Sequence, residues 1–442
     1  MARRPVEITY ELLQSGEDIS DLLQEGFGPN GLGIVTVSGV PGFAAARGRL
    51  LPLAAALAGL PAAEKAALED AGSNYNVGWS HGKEALEGGR LDLLKGSFYA
   101  NPCRDTYDDR EASDVQKYRD YYTDNRWPRE SLPELEPALK GLGRLMVSVG
   151  LLLADRCTDY VSRQLRAAAL AGPPPPGLEA ALAALDVGEG RPGGGGGGAG
   201  GGEKADQQRR AGAAGGGGGC PDFGAALRDS ACHRARLLHY FPPSGGGGEG
   251  DWCGWHFDHG ALTALTSALY LDASGAPCAN PDPAGGLYIR DRAGGVVQAA
   301  IPPGHVAFQM GQAMAIQSGG LLHATPHFVR AARPELGAGV SRNTFAVFLQ
   351  PDASFVMAPP RPPPGRAGAG LGLGAAAAAA LPLKLTEREA SGWRDGQTFG
   401  AFAAAVMGRY YDTARRLARE AADGAAGGGG RRPTVVLHVE AE

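Results

Sequence analysis

The chain has 442 residues, of which 70 are glycine and 32 are proline, and 43% of it is hydrophobic. This glycine and proline content approaches that of low-complexity chains, but the hydrophobic share excludes a chain that is disordered throughout. The net charge of −5 gives no basic excess of the kind that nucleic-acid binding needs, so a nucleic-acid partner is not favoured.

The cysteines and the apolar stretches bear on the cellular compartment of the protein. The six cysteines include no Cys-x-x-Cys pair, which argues against a disulfide scaffold or a zinc module. The start of the sequence carries two arginines but no apolar run typical of secretion. Residues 50–60 are too few to span a bilayer, and residues 367–383 are nearly all glycine and alanine. We therefore expect a cytoplasmic monomer without a membrane partner, with organellar targeting left open.

The first 171 residues divide into two regions. Residues 1–125 show a helical pattern near residues 12–23, a β-branched strand at 33–40 and a leucine-rich helix at 50–68. Residues 126–171 predict one long packing helix, since apolar residues recur there at steps of three and four. That stripe consists of Leu132, Leu135, Leu139, Leu142, Met146, Val149 and Leu153.

The rest of the chain predicts an insert, a β-rich core and a tail. Residues 172–222 form a Gly/Pro-rich insert that is expected to be disordered. Residues 223–352 contain short strands with no competing helical period, which favours a β-sandwich or jelly roll. The predicted strands lie at 235–241, 251–257, 262–271, 286–290, 296–301, 305–310, 321–329 and 341–350. Residues 353–442 predict a linker and a helical tail.

A candidate metal site lies in the β-rich region. His256 and Asp258 are two residues apart, so in a strand both side chains point to the same face. A third ligand can come from His323 or His327, which are four apart and therefore also share a face. Two imidazoles and one carboxylate leave open positions on a metal, which is the arrangement of non-haem Fe(II) oxygenases.

A candidate carboxylate-binding pair follows in the last predicted strand. Arg342 and Thr344 share a face by the same alternation. The guanidinium of Arg342 is always charged and presents a planar fork of donors. Together with the hydroxyl of Thr344, it is well suited to binding a carboxylate.

These motifs, in this order, resemble the Fe(II)- and 2-oxoglutarate-dependent dioxygenases, and most closely the isopenicillin-N-synthase-like branch. The resemblance rests on HFD at 256–258, a later histidine and RNT at 342–344. Further similar stretches are RLLHYFPPS, GGLYIRD, IPPGHVAFQMGQAMAIQSGG and, near the N-terminus, GFGPNGLGIVTVSGVP. It implies an α+β fold with a mainly β core, a double-stranded β-helix (jelly roll) with flanking helices.

The resemblance also implies a role for each candidate residue. The iron ligands would be His256, Asp258 and His327, because the glycine pattern before the last histidine matches His327 better than His323. Arg342 would hold the distal carboxylate of 2-oxoglutarate, with Thr344 where relatives usually carry serine. Relatives often have Asn-x-Tyr in the strand before HxD. Here that segment reads His-Tyr-Phe, so Tyr240 supplies the co-substrate hydroxyl only if the register slips by one.

The implied activity is that of a dioxygenase using Fe(II), O2 and 2-oxoglutarate. It would hydroxylate or desaturate a small organic substrate and release succinate and CO2. Two alternatives remain at this point. One is an iron oxidase of the same fold that does not use 2-oxoglutarate, which Phe241 favours. The other is a non-catalytic jelly-roll binding protein that has kept the ligands.

Overall fold

The computed structural model of the chain describes residues 2–83, 92–170, 221–243, 251–360, 393–394 and 396–408. The strands, in chain order, are β1 (Ala2–Arg3), β2 (Val6–Thr9), β3 (Ile34–Ser38), β4 (Gly78–His81), β5 (Lys95–Ala100), β6 (Arg234–Tyr240), β7 (Asp251–His256), β8 (Leu262–Thr266), β9 (Leu269–Leu271), β10 (Pro277–Cys278), β11 (Gly286–Arg290), β12 (Val296–Ala299), β13 (Val306–Met310), β14 (His327–Arg330) and β15 (Ser341–Leu349).

Helices precede, interrupt and follow these strands. They are α1 (Tyr10–Ser15), α2 (Ser20–Phe27), α3 (Phe43–Ala58), α4 (Ala62–Leu68), α5 (Ala112–Lys117), α6 (Leu135–Leu170), α7 (Phe223–Arg228), α8 (Gln312–Gln317), α9 (Pro334–Gly337) and α10 (Phe399–Gly408), with a 3-10 turn at Ala71–Ser73.

Two mixed β-sheets form the centre of the molecule. The small sheet has the strand order β1-β12-β11-β14-β7, and the large sheet has the order β2-β3-β13-β8-β15-β6-β5-β4, with β9 and β10 beside β15. The chain passes repeatedly from one sheet to the other, because β6, β8, β13 and β15 belong to the large sheet while β7, β11, β12 and β14 belong to the small one. The structure thus confirms strands in two sheets with helices around them.

The two sheets bury apolar side chains against each other. Leu238 and Ala346 of the large sheet lie in one buried cluster with Trp252 and Val329 of the small sheet. Neighbouring residues of the same strands point to the opposite face of the large sheet. Leu237 and Val347, on that face, belong to the main core cluster, which also contains buried residues of the helices. One face of the large sheet therefore lines the interior between the sheets, and the other face carries the helical layer.

The long helix α6 provides most of that layer. Six of the seven predicted stripe residues, from Leu135 to Leu153, are fully buried. Gly150 allows close approach to the sheet, because a Cβ there would lie 2.5 Å from Leu349 Cδ2. By length and composition alone α6 would also suffice to cross a bilayer, although half of its most apolar window is buried inside the protein. This burial agrees with the predicted packing role.

Several predicted elements differ from the observed ones. The helix predicted at 50–68 begins earlier, at Phe43, and is broken between α3 and α4, where Pro61 precedes the second helix. The strand predicted at 262–271 is two strands, and the one predicted at 321–329 begins only at His327. Helix α8 lies within the region that was predicted to have no helical segment. Its six residues are too few for a helical period to show.

The N-terminal region contributes the strand predicted at 33–40, which is observed as β3, and further strands that were not predicted. β4 and β5 extend the large sheet beyond β6, and β2 and β3 extend it beyond β13. The large sheet thus takes strands from both sides of the predicted boundary at residue 125. Most of the predicted insert at 172–222 and most of the tail predicted after residue 353 lie outside the described residues.

Candidate functional site

Neighbouring strands of the small sheet bring two histidines together. His256 is the last residue of β7 and His327 is the first residue of β14, and the two are directly opposite in the ladder. Directly opposed residues place their side chains on the same face, and the two imidazole centroids are 4.2 Å apart.

Asp258 completes the group from just beyond the end of β7. Its Oδ1 lies 3.8 Å from His256 Nε2, and its Oδ2 lies 3.9 Å from His327 Nε2. One possible ligand atom from each of the three residues lies within 4.8 Å of the other two. Ligand atoms around one ion, each about 2.0–2.2 Å from it, have separations of this size. The three side chains can therefore bind a single metal ion.

The reason for this convergence differs from the one predicted. The sequence argument placed His256 and Asp258 on one strand face, but β7 ends at His256. Beyond the strand, the backbone is held by Gln312 at the start of α8, whose N–H donates to the Asp258 carbonyl over 2.8 Å. The carboxylate faces the histidines because of this turn and not because of strand alternation.

Hydrogen bonds behind the rings orient both imidazoles. His256 Nδ1 lies 2.8 Å from the Gly254 carbonyl oxygen. His327 Nδ1 lies 2.6 Å from Gln309 Nε2 and 3.3 Å from the Thr325 carbonyl oxygen. A ring whose Nδ1–H donates to an acceptor behind it keeps the Nε2 lone pair for a metal. In both rings Nε2 is the nitrogen that faces Asp258.

Burial and the charges of the three residues set their protonation states. Burial, and then the charge of His256, lowers the pKa of His327 to about 4, so this ring is neutral at pH 7. Burial opposes ionisation of Asp258, but the two histidines outweigh it and lower the pKa of that carboxyl. Burial opposes a charge on His256, whereas Cys253 and Asp258 raise its pKa to about 9. A metal would therefore displace a proton from His256 on binding.

Arg342 lies further inside the space between the sheets. It is 7% exposed, and its guanidinium stacks over the Tyr240 ring at 4.8 Å and over the Trp252 ring at 5.7 Å. Its Nε and Nη1 are buried and have no hydrogen-bond partner among the described residues. An uncompensated buried charge is costly, so these donors fit an anionic ligand.

The strand register decides which neighbours of Arg342 share its face. Arg342 of β15 is opposite Tyr240 of β6, and Thr344 is opposite Leu238. Phe241 lies on the other face, where its ring packs against those of His239 and His81. Tyr240 is thus beside Arg342, and burial raises the pKa of its phenol, which stays a neutral donor. The three residues predicted to bind the co-substrate, Tyr240, Arg342 and Thr344, lie on one inner face.

Two other histidines near the site, His323 and His259, contact other side chains. His323 Nδ1 contacts the guanidinium of Arg292, and burial together with that charge lowers the pKa of His323 to about 3. His259 stacks on Phe399 with ring centroids 6.0 Å apart, and its Nε2 lies 3.3 Å from the Tyr121 hydroxyl. The resemblance favoured His327 over His323 as a ligand, and the contact of His323 with Arg292 accords with that preference.

Gln309 was not singled out from the sequence. It is fully buried in β13 and contacts His327. A lone glutamine inside the apolar strand VAFQM was the available signal, because a buried amide needs a specific partner.

No protein-family model and no curated protein matches the sequence. Solved structures do match. A protein assigned to the 2OG-Fe(II) oxygenase family, from Caulobacter crescentus, is 18% identical, with a TM-score of 0.52, over 81% of this chain and 90% of that one. A full-length Neurospora crassa protein in complex with alpha-KG is 14% identical, with a TM-score of 0.54, over 94% and 96%. The same Neurospora crassa protein in complex with alpha-KG and thymine is 16% identical, with a TM-score of 0.50, over 95% and 97%.

These likenesses show the fold of the chain. It is the fold of 2OG-Fe(II) oxygenases, which confirms the predicted resemblance at the level of architecture.

Proposed function

We propose that this chain is an Fe(II)- and 2-oxoglutarate-dependent dioxygenase that oxidises a small organic molecule. The observation that carries the proposal is the convergence of His256, Asp258 and His327 in a chain with this fold. Nε and Nη1 of Arg342, which are buried and have no hydrogen-bond partner among the described residues, add a second feature that such an enzyme needs.

The donor set fits ferrous iron. Two neutral imidazoles and one carboxylate suit Fe(II) and leave coordination positions open for a chelating co-substrate and O2. His256, Asp258 and His327 would hold the ion. When bound, it would supply O2 activation coupled to oxidation of 2-oxoglutarate to succinate and CO2.

The inner face of the large sheet would hold 2-oxoglutarate. Arg342 would donate to the distal carboxylate, which would compensate its buried charge. Tyr240, under the guanidinium, would add its hydroxyl, and Thr344 would add another from the next inward position of β15. Because Tyr240 and not Phe241 is beside Arg342, the structure offers no specific support for an oxidase that does without 2-oxoglutarate.

We further propose that the two sheets are the two halves of a double-stranded β-helix of the isopenicillin-N-synthase-like type. Support comes from the segments β13-β8-β15-β6 and β12-β11-β14-β7, which are two four-stranded halves with alternating chain passage. A small substrate accords with the complexes of the Neurospora crassa protein with thymine and with 5-formyluracil. A cytoplasmic monomer remains our expectation from composition.

The test is to add 2-oxoglutarate to the Fe(II)-loaded protein without oxygen. We expect a visible metal-to-ligand charge-transfer band, and after admission of O2, formation of succinate. His256→Ala and Asp258→Ala should lose both iron and band while keeping the fold. A protein that binds iron but gives neither band nor succinate would contradict the proposal. A protein that binds no iron at all would favour a non-catalytic role.

A further inference from the structure

Gln309 lies directly behind one of the proposed metal ligands. It is in β13, where it is opposite Thr263 of β8 and Ile34 of β3, and it is fully buried. Its side-chain amide reaches across to the small sheet, where Nε2 lies 2.6 Å from His327 Nδ1. This contact links the two sheets at the metal end of the interior.

The two histidines differ in how their rear nitrogens are held. His256 has a backbone carbonyl, that of Gly254, at 2.8 Å. His327 has the Thr325 carbonyl at the longer distance of 3.3 Å and depends on Gln309 for its close contact. Hydrogen bonds weaken with distance, so Gln309 has more influence on the His327 ring than the backbone does.

The hydrogen-bond network decides which end of the amide faces the ring. Gln309 Oε1 is buried and has no hydrogen-bond partner among the described residues when Nε2 faces Nδ1. The Thr325 carbonyl can only accept, so Nδ1 carries a hydrogen when it bonds there. The two ends of an amide have the same shape. A half-turn of the amide therefore places Oε1 against Nδ1–H, where Oε1 accepts a hydrogen bond.

We propose that Gln309 is a positioning residue that accepts a hydrogen bond from His327 Nδ1–H and thereby keeps the Nε2 lone pair on the metal side. The inference rests on the proposed function, since it assumes a metal at His256, Asp258 and His327. Without Gln309 only the more distant Thr325 carbonyl remains behind the ring, so the proton moves more readily to Nε2, where it blocks a ligand. Acceptors of this kind typically contribute about 10–100-fold to metal affinity.

The test compares Mn(II) affinity, by electron paramagnetic resonance titration, in three variants of the full chain and in the wild type. Gln309→Met keeps the side-chain length without the acceptor and should weaken binding about 10–100-fold. Gln309→Glu restores an acceptor and should recover most of the affinity that the Met variant loses. Gln317→Met is the matched control, because Gln317 is also buried but bonds only to the Ala313 carbonyl among the described residues. It should bind like the wild type.

Thermal unfolding of each metal-free variant separates positioning from folding. Gln309→Met and Gln317→Met are expected to unfold within a few degrees of each other. Wild-type affinity in Gln309→Met would overturn the inference alone, and so would a Glu variant as weak as the Met variant. Absence of Mn(II) binding in the wild type would instead overturn the proposed metal centre, and the inference with it.

Discussion

At the residue scale, His323 and His327 carry the same side chain four positions apart but face different partners. His327 Nε2 lies 3.9 Å from the Asp258 carboxylate, whereas His323 contacts Arg292. The sequence argument from alternation left both open as ligands, because it specifies a face and not a partner.

This difference gives the first prediction. His327→Ala should abolish binding of Fe(II) or Mn(II), whereas His323→Ala should retain it, because only the former removes a ligand of the proposed site. Metal content after dialysis, measured by atomic spectroscopy, checks this. The assignment is wrong if His323→Ala loses the metal and His327→Ala keeps it.

The second prediction concerns Arg342. Arg342→Met should weaken 2-oxoglutarate binding about 100-fold, since charge-assisted hydrogen bonds are lost, and should leave metal affinity unchanged. Anaerobic titration of the charge-transfer band measures the affinity. Arg290→Met is a matched control, because Arg290 is exposed and stacks on Trp255. Equal co-substrate affinity in the Arg342 and Arg290 variants would refute the role of Arg342.

At the residue scale, the sequence predicts which side chains share a face when both residues lie in one strand. The RxT spacing within β15 suffices to place Thr344 on the same face as Arg342, whereas Asp258 meets His256 through the turn after β7, which the HxD spacing does not specify. The contact between Gln309 and His327 depends on two strands in different sheets, and nothing in either strand specifies it.

At the scale of elements, residues 110–122, which include α5, are joined by hydrogen bonds to Asp352, just after the end of β15. Asp352 accepts from the Tyr122 hydroxyl, and its Oδ2 lies 2.9 Å from Arg110 Nη2. The hydroxyl of Tyr121, in the same segment, lies 3.3 Å from Nε2 of His259, the residue that follows the proposed ligand Asp258. These contacts therefore fix the position of this segment beside the proposed ligands.

Asp352 supplies a pH-dependent prediction. Burial opposes its ionisation, but Tyr122 and Arg110 outweigh burial and lower its pKa below the ordinary 3.8. A lowered folded-state pKa stabilises the fold above the unfolded value, and this contribution is lost as pH falls through the folded value. Asp352→Asn should cost about 2 kcal/mol at pH 7 in urea unfolding, with a smaller difference from wild type below about pH 4.

Asp109→Asn is the control for that experiment. Asp109 is an exposed carboxylate that pairs with Arg104, so its loss should change the free energy of unfolding little. An Asp352→Asn variant as stable as the control at pH 7 would contradict this role of Asp352.

Elements were predicted well where one periodicity dominates. The stripe of α6 is an example, since all its residues from Leu135 onward are buried as expected. β5 was missed because all six of its residues are buried, which removes the alternation that marks a strand, and because glycine and serine lower its β-propensity. Tertiary pairing with β6 overrides that weak local signal.

At the scale of the whole molecule, the N-terminal region and the jelly-roll region share one sheet. β5 pairs with β6 through the register from Lys95 opposite Tyr240 to Ala100 opposite Ala235. β3 pairs with β13, the strand that carries Gln309. The boundary predicted at residue 125 was drawn from composition and motifs. Neither composition nor motifs reveal strand pairing between residues far apart in the sequence.

The shared sheet predicts cooperative unfolding. Because β2 to β5 complete the hydrogen bonds of β6 and β13, the two regions should unfold together in one transition. Far-UV circular dichroism and tryptophan fluorescence should give coincident urea curves. Two separated transitions, with the N-terminal region unfolding first, would show that the regions are independent.

The most direct measurement of the central claim is a crystal structure with Mn(II) and 2-oxoglutarate, with the ion located by anomalous scattering. We expect one ion bound by His256 Nε2, His327 Nε2 and an Asp258 oxygen at about 2.0–2.3 Å, with the distal carboxylate of 2-oxoglutarate on Arg342. An ion bound elsewhere, or a coordination shell that omits one of these three side chains, would contradict the account.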